Sequence, residues 1–179
     1  MKGEITPWIN ELVPWTREEL ELLSSNQVKQ KVKRGIITTA KGVFTSIYHE
    51  PLIAYSYKKY ISSKDNAVLY ARTSHHEFVY RTQKGQTEIF IDNQKVGYLN
   101  EQGLLYGGKK KRLLARINQD QDTLDLPIIV RDKELGTLVK SNAGTVNPRA
   151  FQFVSKMGHK EEAVFLSLAV LELVKSSIS

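Results

Sequence analysis

The densest cluster of charge in this 179-residue chain consists of four consecutive basic residues and one nearby arginine: Lys109, Lys110, Lys111, Arg112 and Arg116. The cluster directly follows Gly107-Gly108, a pair typical of a tight turn. A basic residue near an anionic surface contributes about 1 kcal/mol, and a glycine turn lets phosphate approach the backbone closely. The five residues are therefore a candidate site for anionic headgroups. The alternative is a solvated hairpin turn.

A second basic segment lies nearer the N-terminus, where lysine and arginine alternate with glutamine and valine: Lys29, Lys31, Lys33 and Arg34. On a helix these residues would form a basic face; otherwise the segment is a soluble linker. The whole chain carries a formal charge of +7. A basic excess favours polyanions such as nucleic acid or anionic lipid through long-range attraction, although many proteins carry such a charge for solubility.

Metal-binding signatures are weak. Residues 118–125 resemble a calcium loop, with Asp120 and Asp122 as candidate ligands. The segment lacks glycine at the sixth position, and Ile129 stands where the final bidentate glutamate belongs, so a solvated acidic turn is the default. His75 and His76 are adjacent and would point to opposite faces of a strand. No metal site is predicted.

The composition favours a non-enzymatic protein without a cofactor. The chain has no cysteine, which excludes disulfides, thiol catalysis and cysteine-based zinc sites. Neither a G-x-S-x-G nucleophile turn nor a Walker phosphate loop occurs. Apolar residues make up 41% and charged residues 25%, as in an ordinary globular domain. The first 15 residues contain no apolar signal-peptide core, so we expect a cytoplasmic location, with peripheral membrane association left open.

The first 30 residues are predicted to form a helical arm. Thr16-Arg17-Glu18-Glu19 has the pattern of a capping box, which predicts a helix over residues 17–25. Trp8 and Trp15 precede this helix. They would dock the arm on the rest of the domain, or anchor it at a membrane interface, where tryptophan is favoured.

The remainder of the chain is predicted to be rich in strands. Residues 36–61 have no clear period, because Val43, Phe44, Ile47 and Tyr48 suit a helical turn whereas the flanking segments suit strands. Later, short apolar runs separated by turn residues predict eight strands: Ala67–Arg72, Glu77–Thr82, Thr87–Ile91, Lys95–Leu99, Arg112–Ile117, Leu126–Val130, Glu134–Val139 and Ala150–Val154. Strands so closely spaced are typical of an antiparallel sandwich or barrel.

One hairpin pattern occurs twice, 39 residues apart. Residues 89–99 (IFIDNQKVGYL) overlay residues 128–138 (IIVRDKELGTL), and the return strands contain Gly97 and Gly136. A glycine inside a strand marks a bulge or a close backbone contact. Two hairpins bent at the same point predict a sheet that curls around a central object. Gly85, by contrast, is predicted to lie in a simple turn.

Residues 163–174 (AVFLSLAVLELV) are apolar on every face, with Ser167 and Glu172 as the interruptions. A helix that is apolar all round must be surrounded on all sides. This run is shorter than the about 20 residues needed to cross a bilayer. The sequence therefore predicts a helix buried inside its own domain, with Leu168 and Leu171 almost fully buried.

The repeated hairpin, the Gly-Gly-Lys-Lys-Lys turn and the apolar terminal helix together resemble the tubby C-terminal and phospholipid-scramblase-like (LURP-one-related) superfamily over about residues 36–174. The resemblance implies a mainly β fold: a closed antiparallel barrel of about twelve strands around a buried C-terminal helix. The barrel domain would span residues 31–179, with its central helix at 163–174, after an arm at 1–30. Tubby-type barrels bind phosphoinositide headgroups through lysines and arginines on adjacent strands.

The leading hypothesis is a non-enzymatic, tubby-like or scramblase-like module that binds anionic phospholipid headgroups at a membrane surface. The alternatives are a cytosolic scaffold for a protein partner and a nucleic-acid-binding protein that uses the same basic surface. Nucleic acid is the less favoured partner, because the tyrosines that could stack on bases are not interleaved with basic residues: Tyr55, Tyr57, Tyr60 and Tyr80.

Overall fold

The computed structural model describes residues 2–15, 17–61, 66–118, 125–139 and 149–178. Within these ranges, twelve strands form one antiparallel sheet in which each strand pairs with the next along the chain. They are β1 (Leu23–Arg34), β2 (Ile37–Ser46), β3 (Pro51–Tyr60), β4 (Asn66–Arg72), β5 (Glu77–Gln83), β6 (Gln86–Ile91), β7 (Gln94–Leu99), β8 (Leu104–Gly107), β9 (Arg112–Ile117), β10 (Asp125–Val130), β11 (Lys133–Val139) and β12 (Phe151–Val154). A short helical turn, α1 (Thr6–Ile9), precedes the sheet, and α2 (His159–Ile178) follows it.

The sheet curls until its first and last strands meet, which makes a nearly closed barrel. The N–H of Ala150, just before β12, donates to the carbonyl of Leu23 at 2.8 Å, and Ser24 pairs with Arg149. The longer β1 runs on past this junction, and its residues 27–34 pair with β2. The predicted mainly β barrel of about twelve strands is confirmed.

The barrel interior is filled by α2. Leu168 and Leu171 are 1% and 4% exposed, as predicted for a helix surrounded on all sides. The buried Tyr80 on β5 donates its hydroxyl to the carbonyl of Ser167 at 2.6 Å. Burial in this apolar core raises the pKa of the Tyr80 phenol well above its usual value, so the hydroxyl stays protonated and remains a donor.

All eight predicted strands are present, and each end lies within one residue of its predicted position. The ambiguous segment 36–61 forms β2 and β3, so its helical alternative is wrong. Val43 and Phe44 are both buried because they face opposite sides of β2. Phe44 packs in the barrel interior, whereas Val43 lies in a second apolar cluster outside it. A strand covered on both faces loses the alternating pattern that identifies a half-buried strand.

The N-terminal segment differs from the predicted helical arm. A 3₁₀ turn spans Arg17–Leu22, and the chain becomes strand at Leu23, so the predicted boundary at residue 30 lies inside β1. The capping residue Thr16 lies outside the described residues. A helix over 17–25 is not formed, because the chain extends at Leu23, which pairs with Ser46 on β2 and accepts the N–H of Ala150 just before β12.

The two tryptophans dock this segment on the barrel. Trp15 is 7% exposed and packs in the main core. Trp8 packs on the outer cluster that includes Ile5, Val43 and Tyr70, and the ammonium of Lys41 lies 5.8 Å from its ring centroid. Residues 5–12 therefore cover the outer face of β2–β4 through Ile5, Trp8, Ile9 and Leu12.

Candidate functional site: the basic groove beside the β8–β9 turn

The predicted basic cluster forms the tip of the β8–β9 hairpin. The turn spans residues 108–111, where Gly108 and Lys111 have φ of +80° and +48°. Glycine adopts such angles without strain, which explains its place at the start of the turn. The four consecutive basic side chains of the cluster are exposed. None of them forms an ion pair with an acidic residue in the described part of the chain.

Aromatic and aliphatic side chains lie on the outer face of the sheet next to this turn. Tyr98 on β7 pairs with Tyr106 on β8, which pairs with Leu113 on β9, so the three residues form one row. A bulge at Leu114 shifts the register and leaves Leu113 facing outward. Tyr106 is 36% exposed and Leu113 is 50% exposed. The hairpin therefore presents apolar surface and positive charge together.

A groove of about 940 Å³ runs between the β6–β7 hairpin and the β8–β9 turn. Its polar and aromatic walls come from three lysines and two tyrosines: Lys95, Lys109, Lys111, Tyr98 and Tyr106. Two of its glycines, Gly97 and Gly107, let the β7 and β8 backbones approach each other. A Cβ on Gly97 would lie 2.1 Å from the Tyr106 carbonyl oxygen, and a Cβ on Gly107 would lie 2.2 Å from the Val96 carbonyl oxygen.

Lys95 is held over the ring of Tyr98, with its ammonium 4.0 Å from the ring centroid. The ammonium also donates to the Tyr98 hydroxyl and lies 3.9 Å from the Glu88 carboxylate. The hydrogen bond to Tyr98 raises the pKa of Lys95, and Glu88 adds to this effect. Lys95 is therefore a fixed positive charge at the wall of the groove. Chemically, the groove can accept a phosphate or another compact anion.

The predicted site residues separate into two sets. Lys109 and Lys111 line the groove, whereas Lys110 in the same turn and Arg112 at the start of β9 are exposed without lining it. Arg116 is exposed further along β9, where it pairs with Leu104 and Ile129, and it does not line the groove either.

Lys95, Tyr98 and Tyr106 were not among the predicted site residues. Finding them requires knowing that β7 and β8 are neighbours. The repeated hairpin locates β7, but β8 has four residues, too few for a clear strand pattern.

The second basic segment lies at the opposite end of the barrel, and it forms a strand rather than a helix or a linker. Its residues alternate along β1 with period two. Lys29 donates to the carbonyl of Ser177 at 2.7 Å, and Lys31 donates to the carbonyl of Ile178 at 2.8 Å. Carbonyls in the last turn of a helix have no partner within the helix, and positive charge is favoured beside them. Two lysines of this segment therefore cap α2.

The predicted acidic loop and the histidines do not form a described metal site. Asp120 and Asp122 lie outside the described residues. His75 and His76 lie in the β4–β5 turn rather than on a strand, and His76 bonds to Asp92 at 2.9 Å. Among the residues that the structure describes, no group of three or more potential ligands is placed to hold a metal ion.

Comparison with protein-family models, curated proteins and solved structures finds no match to this chain. Within the described ranges, neither helix has the length and apolar character needed to span a membrane.

Proposed function

We propose that this protein is a non-enzymatic membrane-surface module that binds anionic phospholipid headgroups at the groove beside the β8–β9 turn. The observation that carries the proposal is the combination of charge and exposed apolar surface at one place. Lys95, Lys109 and Lys111 surround the groove, and Tyr106 and Leu113 stand exposed beside them.

The energetics favour a membrane surface over a free anion. Each lysine or arginine near an anionic surface contributes about 1 kcal/mol, so a cluster is needed for useful affinity. Exposed tyrosine and leucine add affinity by entering the interface between headgroups and acyl chains. A soluble phosphate would use the lysines of the groove but not Leu113, because Leu113 faces outward on β9.

The resemblance of the sequence to tubby-like and scramblase-like proteins supports the same function. Their headgroup sites also use basic residues from adjacent strands of the barrel. We propose Lys109 and Lys111 as the headgroup contacts on the groove, with Lys110 and Arg112 as flanking charges. Arg116 would contact neighbouring headgroups from the outer face of β9.

The test is vesicle co-sedimentation with a triple variant, Lys109→Gln, Lys110→Gln and Lys111→Gln. Three lost charges at about 1 kcal/mol each predict a loss of about two orders of magnitude in affinity at low salt. The loss is smaller near physiological ionic strength because salt screens exposed charges. The vesicles contain phosphatidylcholine with and without phosphatidylserine.

The matched control removes three exposed lysines that do not line the groove, Lys84→Gln, Lys156→Gln and Lys160→Gln. This variant has the same net charge as the test variant and should lose much less affinity. Equal losses in the two variants would show that net charge rather than the groove determines binding. A DNA retention assay at two salt concentrations distinguishes the nucleic-acid alternative, which requires tighter binding to DNA than to vesicles.

A further inference from the structure

A second cleft opens at the other end of the barrel, where α2 ends. It has a volume of about 560 Å³ and lies between strands β1–β5 and the last turns of the helix. Four lysines line it, Lys31, Lys33, Lys59 and Lys175, together with Glu101. A smaller cleft of about 260 Å³ continues round the helix and carries Glu101 and Glu172. Positive charge is thus concentrated on the β1–β3 side.

The strand register places Lys31, Lys33 and Lys59 on the inward face of the sheet. Lys33 pairs with Thr38, which pairs with Lys59, and Lys59 pairs with the buried Ala67. Residues directly opposite each other on neighbouring strands share one face of the sheet. One register step further in, Lys31 lies in the same row as four residues of the interior: Ala40, Tyr57, Leu69 and Tyr80.

Helix capping and the protection of an edge strand from pairing do not explain all four lysines of the cleft. Lys31 caps α2 through the carbonyl of Ile178. Inward-facing charge on an edge strand discourages pairing with another sheet, which would explain Lys33 on β1. Lys59 is on β3, which is paired on both sides, and Lys175 is on the helix. Lys33, Lys59 and Lys175 form no hydrogen bond or ion pair with another described residue.

The walls below the lysines are largely apolar. Tyr57 and Leu69 line the barrel side of the cleft, and Leu171 and Ile178 line the helix side. A volume of this size lies within the range of about 300–1,000 Å³ that is typical of small-molecule sites. The cleft is therefore amphipathic, with a cationic rim above apolar walls. Its ligand should carry one compact anionic group on a hydrocarbon chain.

We infer that this cleft binds a single-chain anionic amphiphile, either a long-chain carboxylate or a monoalkyl phosphate. Its headgroup contacts Lys33, Lys59 and Lys175, and its chain lies against the partly exposed Tyr57 and Ile178. This site is separate from the groove beside the β8–β9 turn, because β1 ends and β9 begins at opposite ends of the barrel. The cleft would hold a single amphiphile molecule, taken up from a membrane or from solution.

Calorimetric titration with dodecanoate below its micelle concentration tests the inference. The test variant is Lys33→Gln with Lys59→Gln. The matched control is Arg34→Gln with Lys58→Gln, which removes two charges from the same strands on the outer face, where both residues line a different cleft. Charged hydrogen bonds are strong enough that the test variant should bind at least about tenfold more weakly than the parent. The control should stay within about threefold of the parent.

Further ligands separate the contributions of head and chain. Acetate and inorganic phosphate should not bind measurably, because they lack the chain, and dodecyltrimethylammonium should not bind, because its head is cationic. Dodecyl phosphate in place of dodecanoate shows which anionic head is preferred. Absence of binding by the parent to both anionic amphiphiles would overturn the inference, as would equal losses in the test and control variants or tight binding of the cationic amphiphile.

The result is independent of the proposed function. The variant with Lys109, Lys110 and Lys111 changed to glutamine should bind dodecanoate as the parent does, because its changes lie at the other end of the barrel. The Lys33 and Lys59 variant should bind anionic vesicles with at least half of the parent's affinity. A loss of dodecanoate binding in the turn variant would overturn the assignment of the amphiphile to the cleft.

Discussion

Two glycines occupy equivalent places in the repeated hairpins. Gly97 pairs with Ile89 and Gly136 pairs with Ile128, and a bulge follows each pair at the same position. Both hairpins also turn through two residues with positive φ, Asp92-Asn93 in the first and Arg131-Asp132 in the second. The sequence repeat is therefore a structural repeat, as predicted.

Substituting these glycines should destabilise the protein because the space for a side chain is occupied. A Cβ on Gly97 would lie 2.1 Å from the backbone oxygen of Tyr106, and one on Gly136 would lie 2.7 Å from the ring of Phe165. We expect Gly97→Ala and Gly136→Ala each to lower the free energy of unfolding by about 1–3 kcal/mol in urea denaturation. Gly97 should be the more sensitive, since backbone yields less than a ring.

Gly158→Ala is the matched control, because a Cβ there would meet no atom within 4 Å. A similar loss in all three variants would contradict the steric explanation. Gly85, predicted to lie in a simple turn, is unsuitable as a control. Its φ is +76°, and a Cβ would lie 2.0 Å from the Glu101 carboxylate.

Through Asp92 in the β6–β7 turn, the stability of the fold depends on pH. Partial burial acts to raise the pKa of Asp92, but hydrogen bonds from the Glu77 N–H and from His76 outweigh it and lower the pKa. The ionised carboxylate of Asp92 therefore stabilises the fold. This contribution is fully present above the unfolded-state pKa of about 3.9 and is lost as pH falls through the lower folded-state pKa.

We expect Asp92→Asn to lower the free energy of unfolding by less than about 1 kcal/mol at pH 7, because the side chain is half exposed. Asparagine tolerates the positive φ of this position, so the turn is kept. The difference between the parent and the variant should shrink as pH is lowered from 5 to about 2. A difference that stays constant over this range would show that the charge of Asp92 does not stabilise the fold.

At the scale of elements, α2 is the core around which the strands are arranged. Truncating Leu168 to alanine should lower the free energy of unfolding by about 2–5 kcal/mol, because the side chain is fully enclosed and leaves a cavity. Leu113→Ala, on the exposed outer face of β9, is the control and should change stability by less than about 0.5 kcal/mol. Urea denaturation measures both, and equal losses would contradict a helix enclosed by the barrel.

Strands were predictable where one face is buried and the other is exposed to solvent. In β10, the buried Leu126, Ile128 and Val130 alternate with less buried residues, and the strand was predicted to within one residue. The apolar run of α2 at residues 163–174 was predictable because it is apolar all round. Strand β8 was not predictable because four residues are too few to show a period of two. Strand β1 was not predictable because its inward-facing positions hold lysines instead of apolar residues.

At the scale of the whole molecule, the barrel carries positive charge at both ends. The β8–β9 turn lies at the end where α2 begins, and the lysines of β1 lie at the end where α2 finishes. The sequence identified both clusters from their density of charge. It could not show that Lys29 and Lys31 cap the helix or that Lys95 joins the groove, since both depend on contacts between residues far apart in the chain.

Co-sedimentation of the unmodified protein with vesicles of neutral and anionic composition, over a range of salt, tests membrane binding most directly. Binding through the basic groove predicts little association with phosphatidylcholine vesicles and clear association when phosphatidylserine is included. The affinity for anionic vesicles should fall steadily as salt rises from 50 to 300 mM, because the lysines are exposed and screened. Failure to sediment with anionic vesicles at low salt, or equal binding to neutral vesicles, would contradict the proposed function.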